Sequence, residues 1–230
     1  MTEITKNHYI ELIIRTILLL TAIFTNTSFI TNNNNTTQNI ISSAIWIFFI
    51  GLMILRLIPN KKYSAGNQKI FKSNFIQPKE TKIKRDYKSA IGVLIVWLLL
   101  NGIIGFLFLK GIITPKILFY ISLAYSVCDI ICILWFCPFQ KWIMKNRCCN
   151  TCRIYNWDFA MMFTPLIFIP NLYNYTLVGL SLIIVLIWEI TYYKHPERFH
   201  SETNNFINCK NCKEKMCKNK LRFVKGKDDK

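Results

Sequence analysis

Acidic residues are scarce in this chain: 12 Asp and Glu stand against 29 Lys and Arg in 230 residues, a net charge of +17. With three His, eight Gly and seven Pro, there is no HExxH helix, no glycine-rich loop to cradle phosphates and no Gly-x-Ser-x-Gly elbow. Zincin, P-loop and serine-hydrolase chemistry in the forms those motifs define are therefore excluded. A small-residue cleavage motif before Thr31 is also lacking, and the first apolar stretch is too long for a signal h-region. A retained first helix is expected.

Hydrophobic residues are abundant, at 52%, and several apolar runs approach or exceed eighteen residues. A helix needs about 20 residues to cross the hydrocarbon core. The expected fold class is all-α: a polytopic membrane protein of six transmembrane helices, at about 10–30, 40–58, 89–109, 117–137, 159–175 and 176–193. These form a membrane domain over 1–193, followed by a basic, cysteine-rich tail over 194–230.

Charge sets the expected orientation. Residues 60–88 carry nine Lys or Arg against Glu80 and Asp86, and 194–230 carry eleven. Only Lys110 and Lys116 of the 29 basic residues fall in loops assigned to the outside. By the positive-inside rule the protein is multi-pass in the cell membrane with both termini cytoplasmic. The net charge then reflects orientation and not specific nucleic-acid binding; the partners are the lipid bilayer and anionic lipid at the basic loops.

The fifth span is short, and Pro165 and Pro170 interrupt it. It either crosses or re-enters, and crossing is preferred because re-entry would put the basic tail outside. Residues 138–158, with Lys141, Lys145, Arg147 and Arg153 around Trp142, Ile143 and Met144, read as an interfacial helix plus loop. Spans three and four read as an antiparallel hairpin, with Gly102, Gly105 and Gly179 allowing close helix approach.

None of the nine cysteines lies in an outside loop, which argues against external disulfides. Cys149 and Cys152 form one Cys-x-x-Cys pair and Cys209 and Cys212 another, a spacing that lets four thiolates hold one tetrahedral zinc. Cys148, Cys217 and His200 are reserve ligands. The expected role is non-enzymatic: zinc ties the tail to the loop before span five, as a structural staple or a sensor. Reduced, unliganded thiols are the plainer alternative, and His195 and His200 also read as exposed loop residues. An iron–sulfur cluster, which also takes four cysteines, or dithiol chemistry would instead make a membrane oxidoreductase. The stretch Cys132-Ile-Leu-Trp-Phe-Cys137-Pro138-Phe139 is similar to the CxxxCP stretch of membrane-bound ferredoxin-type proteins, with one extra residue.

Asp129 lies mid-span, where a carboxylate costs about 3 kcal/mol to insert, so it should face the bundle with a partner. The hairpin register sets it about one turn from Asn101, its expected partner. The pair reads either as a packing bond or as a proton or cation relay beside Cys128 and Cys132, which gives a cation transporter as a further alternative. Arg15 is expected to snorkel to the headgroups, and Glu189 and Asp158 to sit at the interface.

Overall fold

The computed structural model describes residues 2–27, 36–60, 62–76, 87–146, 148–214, 216–218 and 220. Among them every regular element is helical: α1 Glu3–Phe24, α2 Thr36–Arg56, α3 Lys88–Leu109, α4 Pro115–Leu134, α5 Asp158–Phe163 and α6 Leu172–Lys194, with short 3-10 turns and one π turn between and after them. Five of these helices, all but α5, are long and apolar enough to cross a membrane. Their lengths of 20 to 23 residues correspond to about 30 to 35 Å of helix, enough for the hydrocarbon core. The outward side chains of α3, among them Leu94, Leu98 and Ile103, are exposed and apolar. That face suits lipid and would be a liability in water. The protein is thus an all-helical, membrane-embedded bundle.

Local chemistry sets several helix ends. The Thr2 hydroxyl accepts from Thr5 N at 3.3 Å and starts α1 well before Ile10. Thr114 caps α4, and Pro115 occupies its first position, where the missing N–H costs nothing. Asn171 accepts from Tyr173 N at 3.1 Å and starts α6 at Leu172, four residues earlier than expected. After α3 the chain turns through Gly111, whose φ of +75° suits a residue without Cβ.

The region of span five is not one continuous helix. Pro165 has no N–H to bond back to Met161, so α5 stops at Phe163 and a 3-10 segment, Thr164–Phe168, continues inside the bundle. Neighbours satisfy the broken ladder: Ser122 Oγ donates to Met162 O at 2.8 Å, and Asn174 Nδ2 donates to Ile169 O at 3.1 Å. That repair is what a non-helical backbone in the apolar interior requires. Asp158 pairs with Arg56 at the end of α2, Thr164 accepts from Trp97 Nε1, and the Phe168 ring meets Gly105 and Phe108 further along α3.

Helices α1 and α4 pack along one another, α2 packs on α6, and α3 rests chiefly on the 164–168 segment and the 139–143 turn. The expected close hairpin of α3 with α4 is therefore replaced by a wedge, with Trp97 and Tyr125 meeting across it at 4.8 Å. Gly105 does admit a close neighbour, but no atom comes within 4 Å of a Cβ built at Gly102 or Gly179. One hydrophobic core fills the bundle around Phe49, Leu123, Phe163 and Leu177. A second lies at the end we term the loop face, where Tyr155, Trp188, Tyr192 and Phe199 gather.

Candidate functional site

Between α3, α4, α5 and the Cys loop lies a cavity of about 130 Å³ lined by Cys128, Cys132, Cys137, Cys149 and Cys152 together with Asp129 and Asp158. Its α4 wall forms because Cys128 and Cys132 are one helical turn apart. Trp135 ends that helix and delivers Cys137 to a short π-helical turn that follows Pro138 over Phe139–Ile143. The Cys132 and Cys137 thiols both line this part of the cavity. Gln140 N lies 3.5 Å from Cys137 Sγ. The neighbouring Cys132 thiol foremost, aided by the backbone N–H groups of Gln140 and Phe139 and by the charge of Lys220, holds the Cys137 thiol below its ordinary value against the opposing effect of burial. A thiol so placed is partly thiolate, the attacking form.

The opposite wall is the Cys loop, where Cys149–Thr151 makes a one-turn 3-10 helix closed by Cys152 N to Cys149 O at 3.0 Å. Cys149 Sγ sits 3.7 Å from Ile133 O, and burial pushes its thiol up to about 12. Burial raises Cys152 as well. Behind it lies Lys69, 1% exposed, donating to Cys152 O at 3.1 Å and packed on the Trp188 and Phe199 rings at 4.8 and 5.1 Å. Among the described residues no carboxylate forms an ion pair with Lys69, and burial pushes its ammonium down to about 7, opposed by Cys152.

Below the cavity is a set of buried ion pairs. Arg15 is fully buried, 2.8 Å from Ser126 O, 3.2 Å from Asp129 Oδ2 and 2.5 Å from Glu11 Oε1. It does not snorkel, since α4 and α1 together offer it better partners than the headgroups. Asp129 thus pairs with Arg15 and not with Asn101, whose amide donates to Trp97 O on its own helix. Arg56 and Asp158 form a second pair at 2.5 Å, capped by the Phe159 ring. Glu189 binds Arg153 through both oxygens and accepts from Trp157 Nε1 at 2.7 Å, so it too has protein partners.

The tail folds back on this face, as a tail-to-loop clamp requires, and Glu214 anchors it. Its carboxylate accepts from Ala65 N at 2.5 Å, and its carbonyl accepts from the Thr5 hydroxyl at 3.3 Å. The Asn150 amide sits between Cys212 Sγ, 3.5 Å away, and the Glu214 oxygens, 2.8 and 3.1 Å away when its nitrogen faces them. Burial pushes the Glu214 carboxyl up to about 7. Lys220 reaches Gln140 at the cavity rim.

Of the expected ligands, Cys149 and Cys152 are buried and line the cavity, whereas Cys209 is exposed and Cys212 half-buried on the tail. Cys148 and Cys217 are half-buried; burial foremost, then the charges of Cys148, Cys212 and Cys209, raise the Cys217 thiol. His200 lies against Tyr192, and His195 pairs with Glu197. Among the described residues no group of three or more His, Cys, Asp or Glu is arranged to hold a metal ion. Arg147 falls outside the described residues. Glu11, Arg15, Arg56, Lys69 and Glu214 are additions from the structure; Glu11 and Arg15, one helical turn apart in an apolar run, were the one such pair the sequence could have flagged. No family model matches the chain, and neither a curated protein nor a solved structure matches it.

Proposed function

We propose that the protein is a membrane-embedded thiol–disulfide oxidoreductase, with Cys137 as the attacking thiol and Cys132 as its partner. The placement of both thiols on one cavity, with Gln140 N 3.5 Å from Cys137 Sγ, carries the proposal. Cys137 thiolate attacks one sulfur of a substrate disulfide and expels the other as a thiolate. Cys132 then attacks Cys137 Sγ, loses its proton and releases the second substrate thiolate. Two electrons pass from the dithiol to the substrate, and the protons lost by Cys137 on ionising and by Cys132 on attack balance those taken up by the two released thiolates.

Incubating anaerobically purified protein with oxidised glutathione, followed by alkylation and peptide mass mapping, tests this. A Cys132–Cys137 disulfide that dithiothreitol reverses is expected, together with faster alkylation of Cys137 than of Cys149. Failure of the disulfide to form would refute the assignment.

The contact of Cys212 with Asn150 favours a second reading, because it sets the two Cys-x-x-Cys turns side by side. Zinc would there have to draw the tail thiols Cys209, Cys212 and Cys217 together with Cys148, since no three of them are arranged to hold an ion as they stand, while Cys149 and Cys152 remain in the cavity. Elemental analysis of the same preparation decides it: about one zinc per chain, lost on Cys209→Ser with Cys212→Ser, supports the clamp. Iron with a visible absorption band would replace both with an iron–sulfur centre.

We further infer six crossings, the fifth being the broken segment 158–168, with both termini on the cytoplasmic side of the cell membrane. Its contacts, running from Arg56 to Gly105, support this. A C-terminal alkaline-phosphatase fusion that is active would place the tail outside and refute it.

A further inference from the structure

The thiol cavity is not the only space at the buried ion pairs. A second, of about 70 Å³, opens beside α1 and is lined by His8, Glu11, Arg56, Tyr63, Ser64 and Tyr155. At about 10–15 Å³ of such space per water it has room for several. The His8 ring nitrogens are buried with no hydrogen-bond partner among the described residues, and Nδ1 lies 3.9 Å from Glu11 Oε2. That gap fits a bridging water. Glu11 faces this second cavity, Asp129 faces the thiol cavity, and the Arg15 guanidinium stands between them, bonded to both.

Charge counting makes the arrangement informative. Arg56 is matched by Asp158. Arg15 carries one positive charge and bonds two carboxylates, so the three groups balance only when they also hold one proton. Placing unbalanced charge in the membrane interior costs several kcal/mol, which favours the balanced state. The guanidinium itself does not give up a proton, so no proton hops through it.

We propose that Glu11, Arg15 and Asp129 form a one-proton exchange site that couples the His8 cavity to the thiol cavity. A proton arriving through water and His8 neutralises Glu11. Arg15 then has one carboxylate left to balance, and Asp129 releases its proton into the thiol cavity. One proton enters on the Glu11 side and one leaves on the Asp129 side, while the charge of the triad is unchanged. Released there, the proton is available to the thiolate that leaves during disulfide exchange; this use rests on the oxidoreductase reading, whereas the exchange site does not. The other ionisable groups around the triad are Tyr125, Cys128 and Cys132 on α4, Asp158 on α5, Tyr155 in the Cys loop, and His8, Arg56 and Tyr63 at the second cavity.

Infrared spectroscopy of the full chain in lipid nanodiscs tests the site, with Glu214→Gln as background because burial pushes the Glu214 carboxyl up to about 7. One protonated-carboxyl band is expected near neutral pH, sensitive to deuterium exchange. Either Glu11→Gln or Asp129→Asn must abolish it, since removing either carboxylate leaves Arg15 matched one to one. An ordinary buried acid would lose its band in only one variant. Absence of the band, or its survival in either isosteric variant, would overturn the proposal. Oxidation of Cys132–Cys137 by oxidised glutathione should also slow on the order of 100-fold in Glu11→Gln, a typical acid–base contribution. An unchanged rate would remove the coupling to the thiols. If no disulfide forms even in the parent, the oxidoreductase reading fails and the infrared bands alone judge the site.

Discussion

Replacing Lys69 with Met removes a charge that, among the described residues, the fold buries with no carboxylate in an ion pair with it. The interval between the ordinary lysine value of 10.5 and about 7 corresponds to about 5 kcal/mol of disfavour for the buried ammonium. Met keeps most of the stem that packs on Trp188 and Phe199. It also leaves the Cys152 carbonyl without its donor, which costs about 1–3 kcal/mol. At pH 6, where the lysine is charged in both folded and unfolded chains, the variant should be more stable by about 2–4 kcal/mol. Between pH 7 and about 10 the unfolded chain binds the Lys69 proton and the folded one does not. Parental stability therefore rises with pH in that window, by up to about 1.4 kcal/mol per pH unit for this group. The lowered Cys137 thiol adds a slope of the same sign, so the difference between the two proteins, not the parental slope alone, isolates Lys69. Equilibrium unfolding in mixed micelles, followed by tryptophan fluorescence from pH 6 to 9, reads both effects. Equal slopes for parent and variant, or a Lys69→Met protein less stable at pH 6, would show that the ammonium is stabilised by a negative group such as a thiolate or bound anion.

Two further outcomes follow from packing and from the tail. Glu214→Ala removes the acceptor shared by Ala65 and Asn150, so limited proteolysis should cut the tail several-fold faster, while Glu214→Gln retains the clamp. Because folding raises the Glu214 carboxyl from 4.5 to about 7, its contribution is full below pH 4.5 and lost as pH rises through 7; the Gln variant should lack that loss. Gly105→Ala places a Cβ 2.2 Å from the tip of the Phe168 ring and should lower stability by about 1–3 kcal/mol, with recovery in Gly105→Ala/Phe168→Leu. An undiminished melting temperature in the single variant would show that the ring moves aside freely.

Apolar run length and the distribution of Lys and Arg were legible without coordinates because they are one-dimensional: a helix that crosses lipid must be long, apolar and continuous. That reasoning anticipated α2, α3, α4 and α6 closely, and placed the start of α1 about seven residues late because the Thr2 cap was overlooked. It also marked Pro165 as the weak point of span five and singled out Asp129 as needing a partner. The partner itself was not readable. Register along a supposed α3–α4 hairpin pointed to Asn101, but the 164–168 segment wedges between those helices and α1 packs on α4 instead, which brings Arg15 to Asp129. Likewise, spacing identified Cys149–Cys152 and Cys209–Cys212 as pairs, since Cys-x-x-Cys is a local geometry. Which way each turn faces depends on what packs behind it. Tertiary structure alone aims Cys149 and Cys152 into the cavity with Cys132 and Cys137, buries Lys69 behind them and holds the tail by Glu214. Sequence determined the membrane class and the chemistry on offer; side-by-side packing of distant segments decided which charges and thiols meet.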